Sequence, residues 1–164
     1  MKILCMPYTH TLSHISRPLS IAKELRSRGH EVVFSGGSSK DKFIEDEGFV
    51  VHPIYQIPSE LLFERIRIGK LQFVTDTELM QMIASDRDLF RQENPDLILS
   101  DGRFSAPLST GLDGIKHAAV VNVSSTEFRK LPYIPFFDKF PLSLFSGDGH
   151  VKPLLYNLIF SCLT

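Results

Sequence analysis

Hydrophobic residues along the chain form short, nearly continuous apolar runs, which alternate with segments whose apolar residues recur at helical spacing. Runs of this length with few polar positions are typical of strands that are buried on both faces of a sheet. We predict such strands over residues 2–6, 31–35, 49–54, 96–100 and 117–123.

Helices are predicted between these strands. The first carries an apolar stripe from Leu19 to Leu25. We expect this helix to have Ser16 as its N-cap and Pro18 in its first turn, and to end at Gly29. Further helices are predicted over 39–47, 75–92 and 105–112, and residues 59–82 mix helical and turn signals, with a break at Gly69.

The alternation of buried strands and helices predicts an α/β fold, a Rossmann-like three-layer sandwich with a mostly parallel sheet. Ligands of such sheets bind beyond the carboxyl ends of the strands. Functional residues are therefore expected in the loops that follow residues 6, 35, 54, 100 and 123.

Composition places the chain among soluble proteins of one domain. Its 164 residues are enough to bury a core without covalent cross-links, and its net charge of −1 gives no basic surface for nucleic acid. Cys5 and Cys162 are its two cysteines, which argues against a disulfide framework and suits the cytoplasm. Pro7 ends the first apolar run before a signal peptide could form, and no run reaches the roughly 20 residues of a membrane span.

The loop after the first strand holds two histidines and no glycine. This argues against a dinucleotide-binding G-x-G-x-x-G turn and against a P-loop. His14 lies just before the predicted helix, where the positive end of the helix dipole favours a neutral ring that can accept a proton. His10 is interpreted as a solvated loop residue.

Asp101 directly follows the fourth strand and so reaches the same edge of the sheet as His14. A carboxylate at this position can orient the second nitrogen of a catalytic histidine. The alternatives are a local hydrogen bond for His14 and a helix N-cap for Asp101, and sequence position alone leaves them open. A metal site is not expected, because the spacing of these residues is not that of a ligand set. Surface or structural roles are predicted for His30, His52, His117 and His150.

Two further segments have alternative interpretations. Residues 36–39, Gly-Gly-Ser-Ser, form either a phosphate-binding turn or a turn with a helix N-cap. Arg65, Arg67 and Lys70 alternate with apolar residues, which indicates either a membrane-surface patch or an ordinary amphipathic segment.

Three segments together carry a recognisable pattern. Residues 1–37 contain strand, loop, histidine, Pro-Leu and helix, and then Arg-Gly-His-Glu-Val leads into a second strand. Residues 43–54 place Gly-Phe before a strand, and residues 95–108 place an aspartate after one. This pattern resembles the N-terminal half of the GT-B glycosyltransferases. The resemblance is greatest to the UDP-glycosyltransferase and macrolide-glycosyltransferase group, with MurG-like enzymes more distant.

The resemblance implies an inverting transfer of a hexose from a UDP- or TDP-sugar to an acceptor hydroxyl, without a metal. His14 matches the family's catalytic base and Asp101 the aspartate that pairs with it. Residues 1–164 would form the acceptor-side domain, incomplete at its C-terminus. The nucleotide-sugar domain would be absent, since no His-Cys-Gly-type motif with a downstream acidic residue occurs. No cofactor is then bound tightly by this chain, which we expect to be inactive in isolation.

Two other interpretations remain open. The chain could be a non-catalytic subunit of a split glycosyltransferase that binds a small-molecule or lipid acceptor or recruits the enzyme to a membrane. It could also be an unrelated Rossmann-like binding domain that uses neither His14 nor Asp101. The Pro- and Phe-rich residues 128–145 would line an acceptor pocket, face a partner domain or simply pack on the core. The apolar residues 151–163 would form an interface or membrane-contact helix.

Overall fold

The computed structural model describes residues 1–69 and 73–122, and five strands within them form one parallel sheet. The strands are β1 (Lys2–Pro7), β2 (Glu31–Gly36), β3 (Val51–Pro53), β4 (Leu97–Asp101) and β5 (Lys116–Ala119). Their order is β3-β2-β1-β4-β5, and all four neighbouring pairs are parallel. The predicted α/β sandwich with a parallel sheet is thereby confirmed.

Alternate residues of β1 face opposite sides of the sheet, as the period of a strand requires. Ile3 and Cys5 belong to one hydrophobic core, and Leu4 and Met6 belong to the other. All four are at most 2% exposed. The strand therefore lies between two layers of apolar side chains, which explains its lack of polar positions.

Five helices connect the strands: α1 (Leu12–Ser27), α2 (Lys42–Glu45), α3 (Ser59–Arg67), α4 (Asp76–Glu93) and α5 (Ala106–Asp113). Ile15 and Ala22 of α1 pack in the first core, and Leu89 and Phe90 of α4 pack in the second. The sheet is thus covered on both faces, and α5 contacts α4.

The start of α1 differs from the prediction. The helix begins at Leu12, and its N-cap is Thr11 rather than Ser16. Pro18 therefore lies inside the helix, where it lacks the N–H that would bond to the carbonyl of His14. Because Pro18 is buried, the packing of its ring offsets that missing hydrogen bond.

The other helix and strand boundaries agree with the predictions to within a few residues. The largest differences are in α2, β3 and β5, which are shorter than predicted. Residues 128–145 and 151–163, and with them Cys162 and His150, lie outside the described residues.

Candidate functional site

The candidate site lies where the strand order of the sheet reverses. The chain leaves β1 towards β2 on one side and leaves β4 towards β5 on the other, so the two following loops diverge around a crevice. Pro7 and Asp101 are register partners at this edge. The amide of Tyr8 donates to the carbonyl of Asp101 over 2.8 Å. The topology therefore brings the β1–α1 loop and the end of β4 together.

His14 and Asp101 are in direct contact at this edge. Nδ1 of His14 lies 2.5 Å from Oδ1 of Asp101. His14 is in the first turn of α1 rather than before it, and Asp101 is the last residue of β4. The helix cap that was the alternative role for Asp101 is instead Ser105.

The two partners differ in exposure. The side chain of Asp101 is 1% exposed, whereas that of His14 is 29% exposed. With its proton on Nδ1, the ring donates to the carboxylate and leaves Nε2 as an acceptor. Nε2 has no hydrogen-bond partner among the described residues. A hydroxyl group that enters the crevice can therefore donate its proton to this atom.

Arg17 is a third member of this cluster and was not among the site residues predicted from the sequence. Its Nη2 donates to Oδ1 of Asp101 over 2.6 Å and lies 3.1 Å from Nδ1 of His14. Residues three apart on a helix share a face, so a helix start at Leu12 places His14 and Arg17 side by side. The i,i+3 spacing was the signal, and the misplaced helix start concealed it.

Gly102 forms the surface against which the imidazole of His14 lies. It has a φ of +73°, a region that favours glycine. A Cβ at this position would lie 3.0 Å from both Cε1 and Nδ1 of His14. The glycine thus permits both the turn after β4 and the approach of the ring.

The loop after β3 holds the β1–α1 loop in place. Oε1 of Gln56 accepts from the amide of Thr9 over 3.0 Å, and Nε2 of Gln56 donates to the carbonyl of Pro7 over 3.3 Å. The hydroxyl of Tyr8 donates to the carbonyl of Ile57 over 3.0 Å. Burial, with a smaller contribution from the charge of Glu60, raises the pKa of Tyr8 to about 12, so this hydroxyl stays protonated.

A buried ion pair anchors the loop after β4. Nε of Arg103 donates to Oδ1 of Asp86 over 2.9 Å, and both side chains are fully buried. The other carboxylate oxygen accepts from the hydroxyls of Ser105 and Ser109 over 2.6 and 2.8 Å. Nη1 of Arg103 donates to the carbonyl of Tyr55, and burial lowers the pKa of Arg103. This network joins α4, α5 and the loop after β3 directly behind Gly102.

His10 is half-buried rather than solvated. Its ring centroid lies 5.1 Å from that of Tyr8, and burial lowers its pKa. No group of three or more potential metal ligands occurs within residues 1–69 and 73–122. Structural contacts are seen for two other histidines, since His52 pairs with Glu93, and His117 bonds to Ser100 over 2.7 Å.

The turn at residues 36–39 is occupied by a side chain of the same chain. Oδ2 of Asp41 accepts from the amides of Gly37 and Ser38 over 2.7 and 3.2 Å. These amides are the donors that a phosphate would use. Residues 36–39 are therefore better interpreted as a turn than as a phosphate-binding site.

The basic segment of α3 is partly engaged in structural contacts. Nη1 of Arg65 donates to Oε2 of Glu78 over 2.6 Å and to the carbonyl of Phe73 over 3.0 Å. Lys70 lies outside the described residues. Within the described part of the chain, no helix is both long and apolar enough to cross a membrane.

Comparison with known sequences identifies relatives of one kind. The chain is 33% identical over 164 residues to an inactive PGL/p-HBAD biosynthesis glycosyltransferase of Mycobacterium bovis (strain BCG / Pasteur 1173P2), covering 96% of this chain and 44% of the relative. The identity to a PGL/p-HBAD biosynthesis glycosyltransferase of Mycobacterium tuberculosis (strain ATCC 25177 / H37Ra) is also 33%, with 38% of that protein covered. The chain thus spans less than half the length of these relatives. No protein-family profile matches it.

Solved structures agree on the fold. The glycosyltransferase SnogD from Streptomyces nogalater superposes with a TM-score of 0.59 at 20% identity, over 73% of this chain and 32% of that one. The spinosyn rhamnosyltransferase SpnG complexed with thymidine diphosphate gives a TM-score of 0.57 at 16% identity, over 78% of this chain and 37% of that one. The chain is therefore a homologue of glycosyltransferases, and its described residues have an α/β fold that is shared with part of these GT-B glycosyltransferases.

Proposed function

We propose that this chain is the acceptor-binding half of an inverting glycosyltransferase and that His14 is its catalytic base. The observation that carries the proposal is the contact of 2.5 Å between His14 Nδ1 and the buried carboxylate of Asp101 at the carboxyl edge of the sheet. A histidine that is oriented through one nitrogen and accessible through the other is suited to remove a proton from a bound hydroxyl.

The proposed reaction has one displacement step. The acceptor O–H bond breaks as its proton passes to Nε2 of His14, and the acceptor oxygen forms a bond to the anomeric carbon of the donor sugar. The bond from that carbon to the nucleoside diphosphate breaks on the opposite side, which inverts the configuration. Asp101 stabilises the imidazolium that results, as carboxylates do in related base arrangements.

The donor in this proposal is a UDP- or TDP-sugar, and a further domain holds it. Two observations support the proposal that a further domain, rather than this chain, binds the donor. The chain spans 44% of its first relative, and the turn at residues 36–39 has its amides bonded to Asp41. SpnG, which has the same fold, was solved with thymidine diphosphate. The acceptor would be a small molecule or a lipid that carries a hydroxyl group.

The experiment is a transfer assay on the longer protein, or on this chain combined with the separate chain that holds the donor. We expect H14A to lower kcat/KM by about 10²- to 10⁴-fold, the usual contribution of a positioned base. H30A is the matched control, because His30 precedes β2 at the opposite edge of the sheet, and its activity should stay unchanged. Retained activity in H14A would refute the proposed base.

A second candidate function is a non-catalytic acceptor-binding or membrane-recruiting subunit of a split glycosyltransferase. One observation favours it: a relative 33% identical to this chain is itself described as inactive. The same assay separates the candidates. If a separate chain transfers sugar and H14A does not reduce the rate, the subunit role is the correct one.

A further inference from the structure

We propose that Arg17 is a positioning residue: it supplies the permanent counter-charge of buried Asp101, so that His14 can remain neutral and accept a proton. The inference rests on the proposed role of His14 as the base. It assigns to Arg17 a part in that site beyond the proposed His14–Asp101 pair.

The burial of Asp101 creates the need for a counter-charge. Its side chain is 1% exposed, and a buried carboxylate is costly unless a cation and hydrogen bonds compensate it. Oδ1 accepts from Arg17 Nη2 and contacts His14 Nδ1, while Oδ2 has no hydrogen-bond partner within the described residues. Within the part of the chain that the structure describes, hydrogen bonds to this carboxylate are therefore made through Oδ1 alone.

Among the described residues, two groups can supply a positive charge at Oδ1. An imidazolium at His14 would do so, but its Nε2 would then carry a proton and could not act as a base. The guanidinium of Arg17 is always charged, and its contact of 2.6 Å already provides the ion pair. Since Nη2 also lies 3.1 Å from His14 Nδ1, a second positive charge on the ring would be repelled.

The other groups that face His14 do not supply this charge. The rings of Tyr8 and His14 form a T-shaped pair with centroids 6.4 Å apart, and the hydroxyl of Tyr8 is protonated and donates to the carbonyl of Ile57. The ring of His10 is tilted against that of Tyr8, and burial lowers the pKa of His10. On the side of β4, Gly102 contributes only backbone. Within the described residues Arg17 is thus the fixed cation of the cluster.

The test is nitrogen-15 NMR of the histidine rings in this 164-residue chain without substrate, with His14 assigned from the signals that H14Q removes. We expect one protonated ring nitrogen near neutral pH in the parent and two in R17M. R17K keeps the charge and should return the ring to its neutral form.

Two further variants complete the test. R28M removes an exposed arginine of the α1 C-cap that pairs with Glu24, and it should leave the His14 signals unchanged. R17M/D101N removes the buried charge as well, so the ring should again be neutral near pH 7. A singly protonated His14 in R17M over the same pH range as in the parent would overturn the inference.

Activity gives a second, independent readout. In the complete enzyme, R17M should lower kcat at neutral pH about 10- to 100-fold with little change in KM. This loss is a part of the rate enhancement that a positioned base contributes. Its rate should recover as the pH is raised. If H14A stays active, the proposed function fails, but the NMR comparison still decides whether Arg17 controls the charge of the ring.

Discussion

The imidazole of His14 lies directly on the backbone at Gly102, and a side chain at this position would crowd the ring. G102A would add a Cβ 3.0 Å from the ring and would also place a non-glycine residue at a φ of +73°. We expect a loss of about 1–2 kcal/mol from the backbone conformation, together with displacement of His14 from Asp101. Urea unfolding measures the first effect, and the nitrogen-15 shifts of His14 report the second.

G29A is the control that separates the two effects. Gly29 has a φ of +82°, and a Cβ there would meet no described atom within 4 Å. G29A should therefore lower the free energy of unfolding by a similar amount and leave the His14 signals unchanged. Equal perturbation of His14 by both variants would contradict the role assigned to Gly102.

The sequence was informative about His14 and Asp101 because each follows an apolar strand, and the ends of neighbouring parallel strands meet. It was less informative about Arg17, whose role depends on the rotation of a helix. The rule that proline favours the first turn placed the start near Ser16. The buried packing of Pro18 overrode that rule, which no local pattern could indicate.

At the scale of elements, the Asp86–Arg103 pair joins α4 to the loop after β4. R103M would leave the carboxylate of Asp86 buried without its cation, and we expect a loss of about 3–5 kcal/mol in the free energy of unfolding. R87M is the control, since Arg87 of α4 also forms an ion pair, with Asp113 of α5, but its side chain is 40% exposed. It should cost less than about 1 kcal/mol, measured by urea unfolding. Equal losses would mean that the buried pair has no special structural role.

The N-terminus of α4 predicts a pH dependence of stability. Thr75 and Glu78 form a capping box, and the hydrogen bond from Arg65 is the main cause that lowers the pKa of Glu78 to about 2. Because the folded-state pKa lies below the unfolded value of 4.5, the stabilisation is complete above that value and is lost as the pH falls towards about 2. In urea unfolding between pH 6 and pH 2, E78Q should lose less stability than the parent. Parallel curves would contradict this assignment.

Elements were predictable where one signal dominated. The capping box and Asn94, with a φ of 45° at the C-cap, mark the two ends of α4, which begins and ends within a residue of the prediction. The predicted β3 is longer than the observed one, and Pro53 at its end cannot donate a ladder hydrogen bond. The Asp86–Arg103 network could not be predicted, because its partners come from separate segments that only the folded chain brings together.

At the scale of the whole molecule, the period of the apolar runs predicted the sandwich, and the sheet order explains the position of the site. The switch between β1 and β4 opens the crevice whatever side chains line it. Under the proposed function, the acceptor and donor that enter the crevice would depend on loop side chains, which the period of the apolar runs does not predict. The sequence therefore predicts the fold more readily than it predicts substrate specificity.

The strand order also has a consequence for folding. His14 and Asp101 are 87 positions apart, and β2, β3, α3 and α4 lie between them in the chain. Closing such a long loop has an entropic cost that is offset only when β4 docks beside β1. The proposed catalytic pair is thus expected to form late in folding, and the nitrogen-15 signal of His14 would report that β4 has docked beside β1.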